Sequence, residues 1–300
     1  MARLAERHPG NAPGDWYVDG RCIACDVARQ HAPDLISSDG DGKSVVTRQP
    51  ASPGEEMALW RAALACPTRS VGTVSRRQVP PGVFPMRVAP GVFLCGHNDP
   101  RSFGAHAWFV PQARDPFLVD APRWNGTLAQ AIEEAGGIDH VLLTHRDDIA
   151  DAQRYAAHFG ARVWIHDADR DAAPFATDII ATTGEAAIFP GMIAFAMPGH
   201  TRGSVIYLHG QRHLFSGDTL AWTRQTSDVR SIETIWYSRR EHHRSLTRLA
   251  RSAHRFEHIF PGHGDWTPTP VTEMSDRLAR LADQVSSQPA VDGGRVPDHP

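Results

Sequence analysis

His140-Val141-Leu142-Leu143-Thr144-His145-Arg146-Asp147-Asp148 is the stretch that decides the fold. A short apolar run of buried-strand type leads directly into an imidazole and two carboxylates. The arrangement recurs three times further on. Met192 to Met197 precedes Pro198-Gly199-His200-Thr201, His213-Leu214-Phe215 precedes Ser216-Gly217-Asp218, and His258-Ile259-Phe260 precedes Pro261-Gly262-His263-Gly264. Each puts a His or Asp on the loop at the end of a rigid strand, where side chains can converge on a metal ion. One such motif alone is ordinary turn chemistry, because Gly permits tight bends and Asp accepts local backbone bonds. Four in order point to a site.

Working outward, Val92-Phe93-Leu94 and Ala107 to Val110 read as strands, and Phe117-Leu118-Val119-Asp120 closes a hairpin on an acid. Residues 127–135 form a helix stopped by Gly136-Gly137. Ala152, Tyr155, Ala156 and Phe159 fall at i, i+3, i+4 and i+7, so a helix follows the first motif, and Arg162 to Ile165 is the next strand. Val205 to Leu208 and His213 to Phe215 make a second hairpin ending at Asp218. An amphipathic helix is expected over 239–253 and a C-terminal helix over about 271–286, with a Pro/Gly-rich disordered tail over 287–300.

The N-terminal part reads differently. Residues 1–12 are expected to be a loose terminus, 13–73 a small domain, and the breaker-rich 74–91 a linker or entry into the larger domain over 83–286. Within it stand Cys22-Ile23-Ala24-Cys25-Asp26-Val27-Ala28, a helix from Glu55 to Ala65, and Cys66-Pro67. This segment resembles a bacterial-type ferredoxin domain, whose signature is C-x2-C-x2-C followed later by Cys-Pro. Ala28 stands at the third cysteine position. A [4Fe–4S] cluster takes four thiolates and the segment offers Cys22, Cys25 and Cys66, so the reading is a ferredoxin-shaped domain with a degenerate cluster site. Cys95 would supply a fourth thiolate only if the later domain folded back.

The ordered strand-end motifs resemble the metallo-β-lactamase superfamily over about residues 83–285. The resemblance implies an α+β chain: a four-layer αββα sandwich, with its site on one edge, preceded by the small ferredoxin-like α+β domain. The superfamily's first motif is H-x-H-x-D-H. Here His145 keeps the first position, Asp147 replaces the second His, and Ile149 and Ala150, which cannot coordinate, occupy the last two. The resemblance therefore implies metal ligands at His145, Asp147, His200, Asp218 and His263. Of these, Asp218 and His263 are also assigned to catalysis, and Asp120 to holding a ligand loop from behind. Asp148 and Asp151 are possible additional ligands or, alternatively, solvated acids at a helix N-terminus.

Two imidazoles and two carboxylates suit Zn2+ or Fe2+, as one ion rather than two. The expected function is a metal-dependent hydrolase using metal-bound hydroxide on an ester- or thioester-like bond. The alternatives are a mononuclear iron oxidoreductase acting on a sulfur substrate, and a binding or structural protein whose sites have decayed. The expected partner is a small-molecule substrate, with Arg146 and Arg202 beside the ligands to meet an anionic one or to pair with Asp147 or Asp148. Trp222, Trp236 and Tyr237 are candidates to line a pocket. A net charge of −3 gives no broad footprint for nucleic acid or membrane. No apolar stretch approaches the roughly 20 residues that span a bilayer, so a cytoplasmic protein is expected, with its oligomeric state open. Lys43 is the only lysine, so nearly all 31 basic residues are arginine.

Overall fold

A computed structural model describes residues 2–287; the tail expected beyond residue 287 lies outside the described residues. The chain runs β1 (Trp16–Val18), α1 (Val27–His31), β2 (Ile36–Ser38), β3 (Ser44–Val46), α2 (Pro53–Ala65) and β4 (Val71–Thr73) in its N-terminal part. Then follow β5 (Met86–Ala89), β6 (Val92–Leu94), β7 (Trp108–Val110), β8 (Phe117–Val119), α3 (Gly126–Glu134), β9 (His140–Leu142), α4 (Ala152–Phe159), β10 (Arg162–His166) and β11 (Asp178–Ile180). The last third holds β12 (Glu185–Phe189), β13 (Met192–Ala196), β14 (Val205–His209), β15 (His213–Gly217), β16 (Leu220–Thr223), β17 (Asp228–Ser231), α5 (Arg239–Ala250), β18 (His258–Pro261) and α6 (Met274–Ser287).

Two sheets face each other. The first has seven strands in the order β11-β10-β9-β8-β7-β6-β5 and the second five in the order β12-β13-β14-β15-β18. Three apolar clusters separate the layers. One lies between the sheets and includes Trp108, Phe117, Tyr207, Phe215 and Phe260. A second includes Leu128, Ile132 and Tyr155 of α3 and α4 against the outside of the first sheet. A third includes Leu246, Leu249, Leu278 and Leu281 of α5 and α6 against the second sheet. The order of layers is therefore helix, sheet, sheet, helix.

The N-terminal domain shares the central core. Trp16, Val27, Leu35, Leu59 and Trp60 belong to the same apolar cluster as the inter-sheet residues. Its long helix α2 starts where its residues dictate. Ser52 accepts from the Glu55 amide, Pro53 takes the first turn where no donor is missed, and Glu55 accepts from Ala51 N at 2.6 Å. The expected loose terminus over 1–12 is corrected. Asn11 clamps two strands, donating to Val18 O and accepting from the amides of Val18 and Val46. The amide of Ala12 also donates to Val46 O, so this segment edges the small domain.

Candidate metal centre

The four motifs meet at one edge of the sandwich because each follows a strand that ends there. β9 delivers Thr144 to Asp148, β13 delivers His200, β15 delivers Asp218 and β18 delivers His263. β15 and β18 are parallel neighbours, so Asp218 and His263 leave the sheet side by side. Close backbone approach is part of the design: a side chain at Gly262 would lie 2.5 Å from Asp218 Oδ1 and 2.8 Å from Asp148 Oδ2.

His145 Nε2 lies 3.9 Å from Asp218 Oδ2, 3.9 Å from Asp147 Oδ2 and 4.0 Å from Asp148 Oδ2. His200 Nε2 lies 3.3 Å from Asp147 Oδ2 and 3.7 Å from Asp218 Oδ2. The two rings stand nearly perpendicular, with centroids 4.6 Å apart. Two trios, His145–Asp147–His200 and His145–Asp148–Asp218, each bring their ligand atoms within 4.8 Å of one another. Ligands on the roughly 2 Å shell of a tetrahedral zinc stand about 3.3 Å apart, so these spacings suit one ion after small adjustments. His263 Nε2 sits 3.7 Å from Asp218 Oδ2, outside both trios, with its side chain 23% exposed.

Orphaned atoms test the fit. His145 Nε2, His200 Nε2, Asp148 Oδ2 and Asp218 Oδ1 are buried and make no hydrogen bond of good geometry, the 3.3 Å approach of Asp147 to His200 included. Buried polar atoms without partners are costly, and here His145 Nε2, His200 Nε2 and Asp148 Oδ2 gather beside Asp218, whose Oδ2 faces both imidazoles. Their partners elsewhere turn them that way. His200 Nδ1–H donates to the Thr234 carbonyl, which leaves the Nε2 lone pair free. The Thr144 hydroxyl and amide donate to Asp120, and the hydroxyl oxygen is left to accept from His145 Nδ1–H at 2.9 Å. Asp120 thus reaches His145 through Thr144.

Burial works to lower His200, but Asp147, then Asp218 and the Thr234 carbonyl, outweigh it and raise the imidazole above its ordinary value. Burial, then the neighbouring His200, pushes His145 down to about 4, so the imidazole is neutral and able to ligate. Burial works to raise Asp218, but His263, His145 and His200 outweigh it and hold the carboxyl below its ordinary value. Burial first, and then Asp218, Asp120 and Asp147, drive Asp148 well above its ordinary value. A bound cation would remove that penalty. The residues fit a divalent ion held by nitrogen and oxygen.

Asp151 is not at this site. Its Oδ1 pairs with Arg101 at 2.7 Å and its Oδ2 accepts from the Trp124 amide at 2.7 Å, tying α4 to the preceding loops. Arg146 pairs with Asp171 rather than with Asp147 or Asp148. Trp222 is buried in the outer core beneath α5 and α6. Trp236 and Tyr237 are exposed, and the Trp236 ring centroid lies 6.4 Å from that of His200. On the other flank Phe103 is exposed, 6.3 Å ring to ring from His263. Sequence reading missed Phe103, and it also missed Asp169. The buried Asp169 carboxylate accepts from Thr201 Oγ1, Gly203 N and Arg146 N, locking the loop of His200 to that of His145. No local signal marks either one, since both act across loops.

Comparison with known proteins agrees with this layout. A metallo-β-lactamase from Pseudomonas aeruginosa, FIM-1 in its mono-zinc form, is 19% identical and superposes with a TM-score of 0.51 over 68% of this chain and 96% of its own. The chain has the metallo-β-lactamase fold. TMB-1 superposes with a TM-score of 0.52 at 14% identity, over 67% of this chain and 97% of its own. A hydroxyacylglutathione hydrolase from Acidiphilium cryptum (strain JF-5) is 40% identical over 124 residues, 38% of this chain; that match spans about half, 49%, of the relative's length. Residues 18–73 match the family described as the 4Fe-4S single cluster domain of ferredoxin I.

The metallo-β-lactamase-fold chain carries a ferredoxin-like segment in which Ala28 stands where the cluster motif it resembles has a cysteine. Ala28 is buried in the shared core, and Cys95 lies in the separate core under α3 and α4, so no fourth thiolate joins Cys22, Cys25 and Cys66. A four-thiolate cluster does not fit these residues. The domain instead docks behind the metal edge. Gln30 Oε1 accepts from His106 Nε2–H at 2.8 Å, and Asn98 meets the other ring nitrogen at 3.2 Å. The His106 amide donates to the carbonyl of Gly262, beside His263. A side chain at Gly104 would lie 3.2 Å from Cys25 Sγ. Among the described residues, no helix is long and apolar enough to cross a membrane.

Proposed function

We propose that the chain is a metal-dependent hydrolase that holds one divalent ion with His145, His200, Asp218 and Asp148, Asp147 standing alongside, and cleaves a thioester- or ester-type bond. The clustering of His145, His200 and Asp148 beside Asp218, each of the three with a buried and unpartnered ligand atom, carries this reading. The hydroxyacylglutathione hydrolase relative supports an acyl thioester as the substrate class, on a match that covers half of that protein. A divalent ion at such a set supplies Lewis-acid chemistry, acidifying water and polarising an acyl oxygen.

The chain's own groups do the positioning. Asp218, kept ionised by three imidazoles, offers Oδ2 to orient the attacking water. His263, partly open to solvent, presents Nε2 to hand a proton to the departing group. Phe103 and Trp236 flank the edge on the His263 and His200 sides and give an apolar acyl or thiol carrier two walls to lie between.

The test is metal content after growth with both zinc and iron, followed by thiol release from an acylglutathione thioester. About one equivalent of metal, chelator-sensitive thiol release, and loss of both in His200→Ala are expected. Protein without stoichiometric metal overturns the reading. Iron as the sole metal, with oxidation of a sulfur substrate and no thioester cleavage, selects the oxidoreductase instead.

A further inference from the structure

The outer face of α5, which the proposed hydrolase chemistry leaves unused, is a row of arginines. Arg240, Arg244 and Arg248 recur every fourth residue and Arg251 follows three later, all exposed. With His243, and with Ser286 on α6, they line a cleft of about 710 Å3 between the two helices. Among the described residues, no acidic side chain lines it. Glu241 pairs with Arg244 at 2.7 Å. Arg248 is steadied by the Ala196 carbonyl, which positions the guanidinium without neutralising it. Arg240 and Arg251 have no ion pair among the described residues.

Like charges three and four apart on a helix repel, and cations in the first turn oppose the helix dipole. Burial does not compensate, because these side chains are exposed. The arrangement thus concentrates positive charge on one helix of a chain whose net charge is −3. A bound anion would offset the repulsion.

We propose that this cleft binds a soluble small molecule carrying adjacent phosphoryl groups, of the pyrophosphate or nucleoside-polyphosphate class. Guanidiniums recognise phosphate oxygens in bidentate geometry. Successive arginines on this face are spaced by about 6 Å along the helix axis, and the row runs about 16 Å. Linked phosphoryl groups can span more of the row of guanidiniums than a single phosphate can reach. The gain is that of multivalent attachment without a new contact type. α5 is also the helix that begins against the loop of His200, with the Ser238 amide bonded to the Gly199 carbonyl.

The probe is inorganic tripolyphosphate, titrated calorimetrically into the full chain after metal removal so that chelation at the metal edge does not contribute. One site per chain is expected, at least about tenfold tighter than for inorganic phosphate or sulfate and weakening steeply with salt. The double variant Arg240→Gln with Arg251→Gln should weaken binding at least about tenfold, with an unchanged circular dichroism spectrum. His200→Ala, which disables the metal edge, should leave it unaltered. Because no turnover is measured, failure here is separate from failure of the hydrolase reading. Equal weak binding of all three anions, or full binding by the arginine variant, overturns the proposal. So does preferential binding of anionic phospholipid vesicles or of single-stranded RNA over tripolyphosphate.

Discussion

The metal edge and the cysteine segment have each lost ligands from the motifs they resemble, and they differ in what took the place of those ligands. At the metal edge an imidazole gave way to Asp147, and two further positions became Ile149 and Ala150, yet Asp148 turned inward beside Asp218. Four buried atoms still lack partners there. In the cysteine segment a thiolate gave way to Ala28, whose methyl joined the core. Two remaining thiols found amide donors, Ser44 N to Cys22 and Ser70 N to Cys66, each at 3.3 Å. One region kept an unmet need for charge and the other satisfied itself. A site that still expects an ion shows it as unpaired lone pairs, while a site that has become scaffold shows packing and hydrogen bonds.

The sharpest way to break this comparison is Ala28→Cys. Anaerobic reconstitution with iron and sulfide should yield about four irons per chain in the variant and no stable four-iron cluster in the parent. A parent that retains four irons on three cysteines would erase the contrast. Next in size is Thr144→Val, which cuts the path from Asp120 to His145 while leaving every proposed ligand in place. Metal affinity, measured by chelator competition, should fall about 10- to 100-fold. No change would mean that His145 is oriented by packing alone.

The domain junction makes a pH prediction. Burial holds both His31 and His106 at about 3, against an ordinary value of 6.5. Both are neutral in the folded chain but take up protons on unfolding below pH 6.5. Their sites therefore cost nothing above that pH and destabilise the fold progressively as pH falls from 6.5 toward 3. The melting temperature should drop by about 5 °C or more between pH 7 and pH 5. A flat profile would show that the junction opens to water. Smallest is Gln30→Ala, which strands His106 Nε2–H in a buried junction at a cost of about 1–3 kcal/mol, or a few degrees of melting temperature. A change in metal affinity in that variant would show that the ferredoxin-like domain also supports the metal edge through His106 and Gly262.

Much of this was legible in the residues. The hairpin ending at Asp120 appears as β7 and β8, and the helices read from periodicity and breakers appear within a few residues of their expected bounds. Strong local signals survive folding when tertiary packing agrees with them. β12, written Glu185-Ala186-Ala187-Ile188-Phe189, and the β16–β17 hairpin carried too little alternation to be read. The fate of Asp148 against Asp151 was equally hidden. The two acids stand three residues apart in one stretch of loop and helix start. One is buried against Asp218, and the other is claimed by Arg101 and the Trp124 amide, partners that arrive from 27 to 50 residues away.

The sequence by itself determined the order of strand-end motifs, the loss of one thiolate and of two coordinating side chains, and hence the fold and the edge that bears the site. These are properties of residue type and short spacing, which the chain carries before it folds. Only the tertiary structure decided which acids face the site, that the small domain shares the central core, and that the arginines of α5 border an open cleft. Each of those depends on groups far apart in sequence meeting in a low-dielectric interior or at a common surface, where burial and charge are set by neighbours that no local pattern names.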